Sequence, residues 1–297
     1  ELTPAPGVVA AMRAVQALPK VVLLDSALQR EPVGRYSFLM ADPVQTWQLD
    51  QPSFGLDPFA EMELEIQRWS CESMAGLPPF QGGIAGLMGY ELGQCFERIS
   101  SARYDELRIP ALAAGLYDWV IAWDHRAGRA WLISQGWPET DPIRRTERAA
   151  ERLQFVRQRL AAELAGQGGG GITDLTSTTK SGHRSIQGLG EVAPQFPLPG
   201  ASNLTSNFTQ EGYLKAVERV IEYIRAGDIF QANLTQRLQF QSRFDAPTLF
   251  ERLRSVNPAP FAGLLQWEDW AVISASPERF LQVEGREVET RPIKGTR

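Results

Sequence analysis

Cysteine and histidine are scarce in this sequence. Its 297 residues include two cysteines, Cys71 and Cys95, and two histidines, His125 and His183. A zinc site needs about four such ligands and a disulfide framework needs several cysteine pairs, so the composition excludes both kinds of site. We expect the two cysteines to be reduced and partly buried, as is typical of a cytoplasmic protein.

Long uncharged apolar stretches are also absent. No window of about 18 residues is both uncharged and continuously apolar, which argues against a membrane-spanning helix. Residues 8–24 are apolar, but Arg13 and Lys20 interrupt them and no small-residue cleavage site follows, so we do not expect an export signal. The formal net charge of −5 gives no bulk attraction to nucleic acid or to anionic membranes, and we expect neither as a partner.

The remaining composition is that of a globular protein. Hydrophobic residues make up 43% and charged residues 22% of the chain, which is enough to build a sizeable core. Residues 166–206 depart from this pattern with a glycine run, then serines and threonines, then prolines. Because such a stretch buries too little surface to offset its ordering entropy, we predict a flexible linker there, between residues 1–165 and 207–297.

Apolar periodicity predicts strands and helices before this linker. The apolar runs predict strands over 21–24, 37–40, 113–123 and 130–134, and the helical spacing predicts helices over 58–69 and 142–165. The turn at 124–128 joins the third and fourth of these strands. His125 then lies at the tip of that turn, where we expect it to be solvated.

The pattern after the linker is sharper. Thr209 is placed to cap a helix that ends at Gly227-Asp228, and two strands are predicted over 261–267 and 270–276. Between this helix and the first of these strands, residues 230–240 alternate apolar and polar side chains. The alternation predicts a strand with a polar face that includes Gln231. Such a face is either solvated or lines a cavity for a polar ligand, and the pattern leaves both open.

The last twenty residues combine groups that are suited to chemistry. Glu278 follows Ser276-Pro277 at a strand-to-turn transition, and Lys294 is followed by Gly295 and Thr296. A lysine amine is a nucleophile only when it is neutral, which requires desolvation or nearby cations. The bland alternative is an ordinary surface lysine in a turn.

Four segments in this order resemble one enzyme family: AGDIFQANL at 226–234, NPAPF at 257–261, SPERF at 276–280 and RPIKGT at 291–296. They are similar to the chorismate-utilising enzymes, which comprise anthranilate synthase component I, aminodeoxychorismate synthase component I, and the isochorismate and salicylate synthases. Near the N-terminus, LLDS at 23–26, GRY at 34–36 and ADP at 41–43 resemble the first two groups. The resemblance implies an α+β fold, with a layered antiparallel β-sheet sandwich and outer helices.

Two positions discriminate within the family. The isochorismate and salicylate synthases carry a water-activating lysine where this chain has Gln231, and anthranilate synthases typically carry alanine where it has Lys294. The resemblance therefore favours aminodeoxychorismate synthase component I, on the route to 4-aminobenzoate and folate. The alternatives are anthranilate synthase component I and a non-catalytic tryptophan-binding fragment.

The resemblance also implies roles for individual residues. Lys294 would attack chorismate at C2, and Glu278 would act as general acid and then as base. Gln231, Gly295 and Thr296 would contact the substrate. A glutamine amidotransferase partner would supply ammonia. Mg²⁺ would be the cofactor, with its ligands expected in a C-terminal part that this chain does not contain, so no metal ligand is expected within it.

A tryptophan pocket is the other feature that the resemblance implies. Its residues would be Ser26, Val33, Gly34, Arg35, Tyr36, Pro260, Phe261 and Ala262. Arg35 would stack on or pair with bound L-tryptophan, and Tyr36 and Phe261 would form apolar walls. Residues 1–165 would then be a tryptophan-pocket subdomain, and residues 207–297 the first part of a chorismate-binding catalytic domain. A merely packed corner at Pro260-Phe261 is the alternative.

Overall fold

A computed structural model describes residues 1–30, 32–69, 73–167 and 193–293. Its helices are α1 (Val8–Val15), α2 (Ala60–Arg68), α3 (Pro142–Gln167), α4 (Gln210–Ala226) and α5 (Ala246–Val256), with a 3-10 helix over Tyr90–Cys95. Its strands are β1 (Val21–Asp25), β2 (Tyr36–Met40), β3 (Gln45–Leu49), β4 (Gly83–Met88), β5 (Leu112–Tyr117), β6 (Trp119–Asp124), β7 (Arg129–Ser134), β8 (Phe196–Leu198), β9 (Ala201–Ser206), β10 (Leu238–Phe240), β11 (Phe261–Gln266), β12 (Ala271–Ser276), β13 (Gln282–Glu284) and β14 (Glu287–Glu289).

These elements fall into two units. Within the described ranges, the first unit comprises residues 1–100, 109–167 and 245–293, and the second comprises residues 101–108 and 193–244. No helix among the residues that the structure describes is long and apolar enough to cross a membrane.

A six-stranded antiparallel sheet is the centre of the first unit, in the order β12-β11-β1-β2-β6-β7. Helices α1, α3 and α5 cover one face of the sheet and contribute Met12, Val156 and Phe250 to the core. The opposite face packs on a second antiparallel sheet, β3-β5-β4, through contacts that include Val120 and Ala113. Helix α2 and the 3-10 helix close the outer side of that second sheet. This layered arrangement confirms the predicted α+β sandwich with outer helices.

The sequence of β6 shows why these layers form. Its side chains point alternately to the two faces of the sheet. Trp119 and Ile121 join the core beneath the helices, whereas Val120 and Ala122 join the core between the two sheets. Every residue of β6 is buried, so a continuous apolar run is required rather than an alternating one.

The single strand predicted over 113–123 is wrong. The structure divides this run at Asp118 into β5 and β6, which belong to different sheets. The Asp118 backbone oxygen accepts a 2.6 Å hydrogen bond from the amide of Gln135, and its carboxylate accepts two 3.1 Å hydrogen bonds from Arg152. Burial raises the pKa of Asp118, and Arg152 opposes that shift. The buried charge ends one strand and allows the next to turn into the other sheet.

The second unit contains the three-stranded sheet β10-β9-β8 and helix α4. The predicted start and end of α4 are confirmed. The Thr209 hydroxyl accepts a 2.9 Å hydrogen bond from the amide of Gly212, and Gly227 adopts φ +80° at the C-terminal end.

The strand predicted over 230–240 is also wrong for most of its length. Only β10 is a strand, and residues 231–237 have no regular structure. Here Arg237 donates its amide to the Asn207 side chain at 2.8 Å, and Gln236 donates to the Ser206 hydroxyl at 2.9 Å. Because β9 ends at Ser206, no described strand pairs with residues 231–237, and side-chain hydrogen bonds take the place of a ladder.

The predicted division of the chain differs from the observed units. Strands β11 and β12, from the region predicted as the catalytic domain, lie in the same sheet as β1 and β2. Strand β11 pairs with β1 from Gln266 opposite Val21 to Ala262 opposite Asp25. At the predicted linker, α3 extends to Gln167, residues 168–192 lie outside the described residues, and β8 and β9 occupy part of the remainder.

Candidate functional site

A cavity of about 530 Å³ lies where β1, β2 and β11 begin or end. Ligand cavities commonly have volumes of about 300–1,000 Å³. The lining residues are Leu24, Asp25, Ser26, Pro32, Val33, Gly34, Arg35, Tyr36, Phe38, Pro79, Arg126, Pro260, Phe261, Ala262, Arg279 and Gln282. The structure thus places every residue predicted for the tryptophan pocket around this one cavity.

Ser26 fastens together the strand ends that form the cavity. Its hydroxyl donates a 2.6 Å hydrogen bond to the Tyr36 backbone oxygen and lies 3.3 Å from the Pro260 backbone oxygen. Its amide donates to the Ser37 hydroxyl at 2.9 Å. These hydrogen bonds hold the adjoining ends of β1, β2 and β11 in place. Because a hydroxyl has one proton, which is already donated, Ser26 can offer a ligand only an acceptor.

Gly34 provides the tight approach of the loop between β1 and β2. It adopts φ +80°, in the left-handed region that glycine alone enters without strain. A Cβ atom at this position would lie 2.3 Å from the Leu28 backbone oxygen. The backbone therefore turns here in a way that requires glycine.

Arg35 is held at the rim of the cavity. Its guanidinium binds Asp124 with hydrogen bonds of 2.7 to 3.2 Å, and its central carbon lies 4.7 Å from the centre of the Tyr36 ring. The hydrogen bonds from Arg35 are the largest cause that lowers the pKa of Asp124. Arg35 is thus fixed by a carboxylate of the protein, and it presents a positive, planar group to the cavity edge.

A buried polar cluster lies behind the cavity wall. The Asp25 carboxylate accepts from the Ser37 hydroxyl at 2.9 Å and from Arg254 Nε at 2.6 Å. His125 Nε2 lies 2.7 Å from the same Ser37 oxygen. Because that oxygen donates to Asp25 and accepts from the Ser26 amide, its remaining lone pair fits a proton on His125 Nε2.

This contact corrects the expectation that His125 is solvated. His125 is half-buried, and burial is the largest cause that lowers its pKa. The turn between β6 and β7 folds back over β2, since the His125 amide donates to the Arg35 backbone oxygen at 2.9 Å.

The lining of the cavity combines apolar and positively charged side chains. Leu24, Phe38 and Phe261 supply apolar surface, and Leu24 is 44% exposed although its neighbours in β1 are buried. Arg126 and Arg279 line the cavity together with Arg35. Such an arrangement suits a compact ligand with an apolar body and an acidic group.

Residues 20–297 of this chain match the model of the chorismate binding enzyme family. This chain belongs to that family. It is 31% identical to anthranilate synthase component 1 of Thermus thermophilus over 98% of this chain and 57% of that protein. It is 32% identical to aminodeoxychorismate synthase component 1 of Salmonella typhimurium, over 95% of this chain and 56% of that protein.

A solved structure supports the fold of this chain. Anthranilate synthase component I from Streptococcus pneumoniae aligns with a TM-score of 0.58 and 20% identity, over 87% of this chain and 53% of that one. The chain thus spans little more than half the length of the relatives it matches.

The structure describes two of the five residues predicted to act on the substrate, Glu278 and Gln231, and they belong to different units. Glu278 is half-buried just beyond β12, where the Ser276 hydroxyl accepts from its amide at 3.3 Å and donates to its backbone oxygen at 2.8 Å. Gln231 is exposed and lies in the second unit, in the stretch without regular structure. Lys294, Gly295 and Thr296 lie outside the described residues.

A magnesium site requires several oxygen ligands, chiefly carboxylates, close together. Across the described ranges, no group of three or more His, Cys, Asp or Glu side chains is placed to hold a metal ion. Those ranges therefore supply no ligand set for the Mg²⁺ that the family resemblance implies.

Sequence reasoning missed part of the cavity wall. Arg126 comes from the turn after β6, and Arg279 and Gln282 come from the segment after β12. Only one of these carried a usable signal. Arg279 directly follows Glu278 in the SPERF segment, so a side chain next to the predicted catalytic carboxylate was already in view.

Proposed function

We propose that this chain carries the activity of aminodeoxychorismate synthase component I, which converts chorismate and ammonia to 4-amino-4-deoxychorismate. The observation that carries this choice is Lys294 within the RPIKGT segment of a family member. The family resemblance places alanine at that position in anthranilate synthases. Gln231 has no basic nitrogen, which argues against hydration of chorismate by the alternative family chemistry.

The proposed reaction is a substitution in two steps. Neutral Lys294 forms a bond to C2 of chorismate as the ring double bond shifts, and the C4 hydroxyl leaves as water with a proton from Glu278. Ammonia then bonds to C4, the double bond shifts back, and the bond between C2 and the lysine nitrogen breaks. The lysine nitrogen keeps its two protons throughout and leaves as a neutral amine, and the one proton that ammonia loses returns to Glu278 for the next cycle.

The position of Glu278 supports its role. The two hydrogen bonds with the Ser276 hydroxyl form a tight turn that fixes the backbone of Glu278 immediately after β12. Strand β12 is in turn paired with β11 along its whole length. A rigid backbone at this point would restrict the positions that the Glu278 carboxylate can reach, as a proton donor requires.

We further propose that the cavity binds L-tryptophan. The apolar surface of Phe38 and Phe261 suits an indole ring, and the guanidiniums of Arg126 and Arg279 are of the right charge for its carboxylate. A glutamine amidotransferase is the proposed source of ammonia, and Mg²⁺ the proposed cofactor of the native protein.

Product analysis tests the proposed reaction. The native protein would be incubated with chorismate, Mg²⁺ and ammonium, and the products separated by liquid chromatography with mass detection. We expect 4-amino-4-deoxychorismate, and we expect Lys294→Ala to abolish its formation while Arg286→Ala, a change on the turn between β13 and β14, leaves it intact. Anthranilate as the sole product would overturn the proposal.

The second candidate is anthranilate synthase component I, because the relatives bear both names at nearly equal identity. The same assay separates the two by the product formed. A protein that binds L-tryptophan in calorimetry but turns over no chorismate under these conditions would instead indicate a non-catalytic binding role.

A further inference from the structure

The pairing of β11 with β12 ends beside the predicted catalytic carboxylate. The last pair joins Ser276 to Phe261. The next pair would join Pro277 to Pro260, and neither of these residues has a backbone N–H to donate. The ladder of hydrogen bonds therefore stops at Ser276, two residues before Glu278. It cannot by itself hold the backbone that carries this carboxylate.

The Ser276 side chain holds the backbone at the point where the ladder stops. Its hydroxyl donates a 2.8 Å hydrogen bond to the Glu278 backbone oxygen and accepts a 3.3 Å hydrogen bond from the Glu278 amide. Both polar backbone groups of Glu278 are thus bound to one oxygen atom of the last paired residue of β12. Because the single proton of that hydroxyl is already donated, Ser276 has none to give to a substrate.

The segment is also held beyond Glu278. The Phe280 backbone oxygen accepts a 2.9 Å hydrogen bond from the Thr290 hydroxyl, at the open end of the hairpin that β13 and β14 form. Thr290 is exposed, so water can replace this contact at little cost, whereas Ser276 is half-buried. Of the two hydroxyls that flank Glu278, that of Ser276 is therefore the stronger restraint.

The Glu278 carboxylate has no comparable restraint of its own. Among the residues that the structure describes, none forms a hydrogen bond or an ion pair with this side chain. Its position then depends on the backbone from which it projects. A proton donor must lie within about 2.6–3.2 Å of the atom it protonates, and a misplacement of about 1 Å can lower a rate about a hundredfold. The hydrogen bonds that fix this backbone can thus control the rate.

We propose that Ser276 is a positioning residue for the reaction proposed above. Its hydroxyl extends the order of β12 past Pro277 and holds Glu278 where it protonates the leaving hydroxyl group and later takes up the proton that ammonia loses. This inference rests on the proposed role of Glu278. Because the hydroxyl acts only through Glu278, removing it matters only while that carboxylate is present.

Chorismate consumption by the native protein, with Mg²⁺ and ammonium, tests this inference, and it is common to both candidate products. We expect Ser276→Ala to lower kcat about tenfold to a hundredfold, with KM for chorismate changed about twofold or less, because the groups that bind the substrate are untouched. Ser276→Thr keeps the hydroxyl and should keep kcat within about twofold of the wild type.

A matched control is available on the same strand. Ser274 is half-buried and lies two positions before Ser276 in β12, on the same face of the sheet. Its hydroxyl forms no hydrogen bond with any residue in the described part of the chain. Ser274→Ala should therefore leave both kcat and KM unchanged.

A double-mutant cycle separates positioning from a general loss of structure. In a Glu278→Gln background, Ser276→Ala should lower the residual rate by about twofold or less, since residues that act as one unit are not additive. Hydrogen exchange measured by mass spectrometry in peptides that cover residues 274–282 gives a readout that needs no activity. We expect faster exchange there in Ser276→Ala, and exchange as in the wild type in Ser276→Thr and Ser274→Ala.

The outcomes distinguish this inference from the proposed function. The positioning role is overturned, and the reaction left intact, if Ser276→Ala keeps the wild-type kcat, if Ser276→Thr loses as much as Ser276→Ala, or if the loss is fully additive with that of Glu278→Gln. If Glu278→Gln leaves no measurable rate, unchanged exchange in Ser276→Ala overturns it instead. If the wild type consumes no chorismate, or Glu278→Gln is as active as the wild type, the proposed chemistry is wrong and the positioning role is overturned with it.

Discussion

Replacing Ser26 with alanine is expected to destabilise the protein even without a ligand. The Ser26 hydroxyl donates to the Tyr36 backbone oxygen at 2.6 Å and lies 3.3 Å from that of Pro260, and the residue is 5% exposed. Alanine removes the donor and leaves the Tyr36 oxygen in a place that water reaches poorly. Leaving a buried carbonyl without its partner costs about 1–3 kcal/mol, and the longer second contact adds little. We therefore expect the free energy of unfolding to fall by about 1–3 kcal/mol.

Urea unfolding monitored by tryptophan fluorescence measures this change, since the chain contains eight tryptophans. Ser255→Ala is the matched control, because Ser255 is exposed on α5 and its hydroxyl donates only within that helix, to the Arg252 backbone oxygen. Surface substitutions of this kind usually change stability by less than about 0.5 kcal/mol. A loss in Ser26→Ala no larger than that in Ser255→Ala would refute the role of the hydroxyl in holding the strand ends.

Three further predictions concern the same unit. Gly34→Ala should lose more stability in urea unfolding than Gly128→Ala. Both glycines have positive φ, which costs an L-residue about 1–2 kcal/mol, but only at Gly34 would the added Cβ meet a backbone oxygen. Equal losses of stability in the two variants would contradict this. Burial lowers the pKa of His125 from 6.5, so its unfolded form binds a proton more readily and stability should fall as the pH drops below about 6.5. His125→Gln should weaken that pH dependence in urea midpoints, and an unchanged slope would argue against it. Arg152→Met should lower the free energy of unfolding by about 3–5 kcal/mol in chemical denaturation, because it leaves the buried Asp118 carboxylate without its partner. Adding Asp118→Asn should restore part of the loss. If Arg152→Met alone were as stable as the wild type, the ion pair would be dispensable.

The cavity shows how far sequence reasoning reaches. Its core could be predicted because LLDS and GRY flank one loop and NPAPF opens β11, and these short segments carry the family resemblance. Arg126 carried no such signal, and Arg279 was identifiable only as the neighbour of Glu278 in SPERF. Each lines the cavity because the turn after β6 or the segment after β12 folds towards it. Local sequence does not encode that approach.

Strand prediction failed where the partner strand decides the outcome. The alternation over 230–240 is a sound local signal, but a strand forms only where a neighbour is present. Of these residues, only 238–240 pair with β9. The run over 113–123 failed for the opposite reason. It is apolar enough for one long strand, and the buried ion pair of Asp118 with Arg152, which are distant in sequence, divides it between two sheets.

The most direct test of the proposed function is to identify the residue that chorismate modifies. The native protein would be incubated with chorismate and Mg²⁺ without ammonia, quenched, and analysed by intact and peptide mass spectrometry. The proposed function predicts an adduct with the mass of chorismate less one water, located on Lys294, that disappears when ammonium is added and is absent from Lys294→Ala. An adduct that persists in Lys294→Ala, or product formation by that variant, would contradict it.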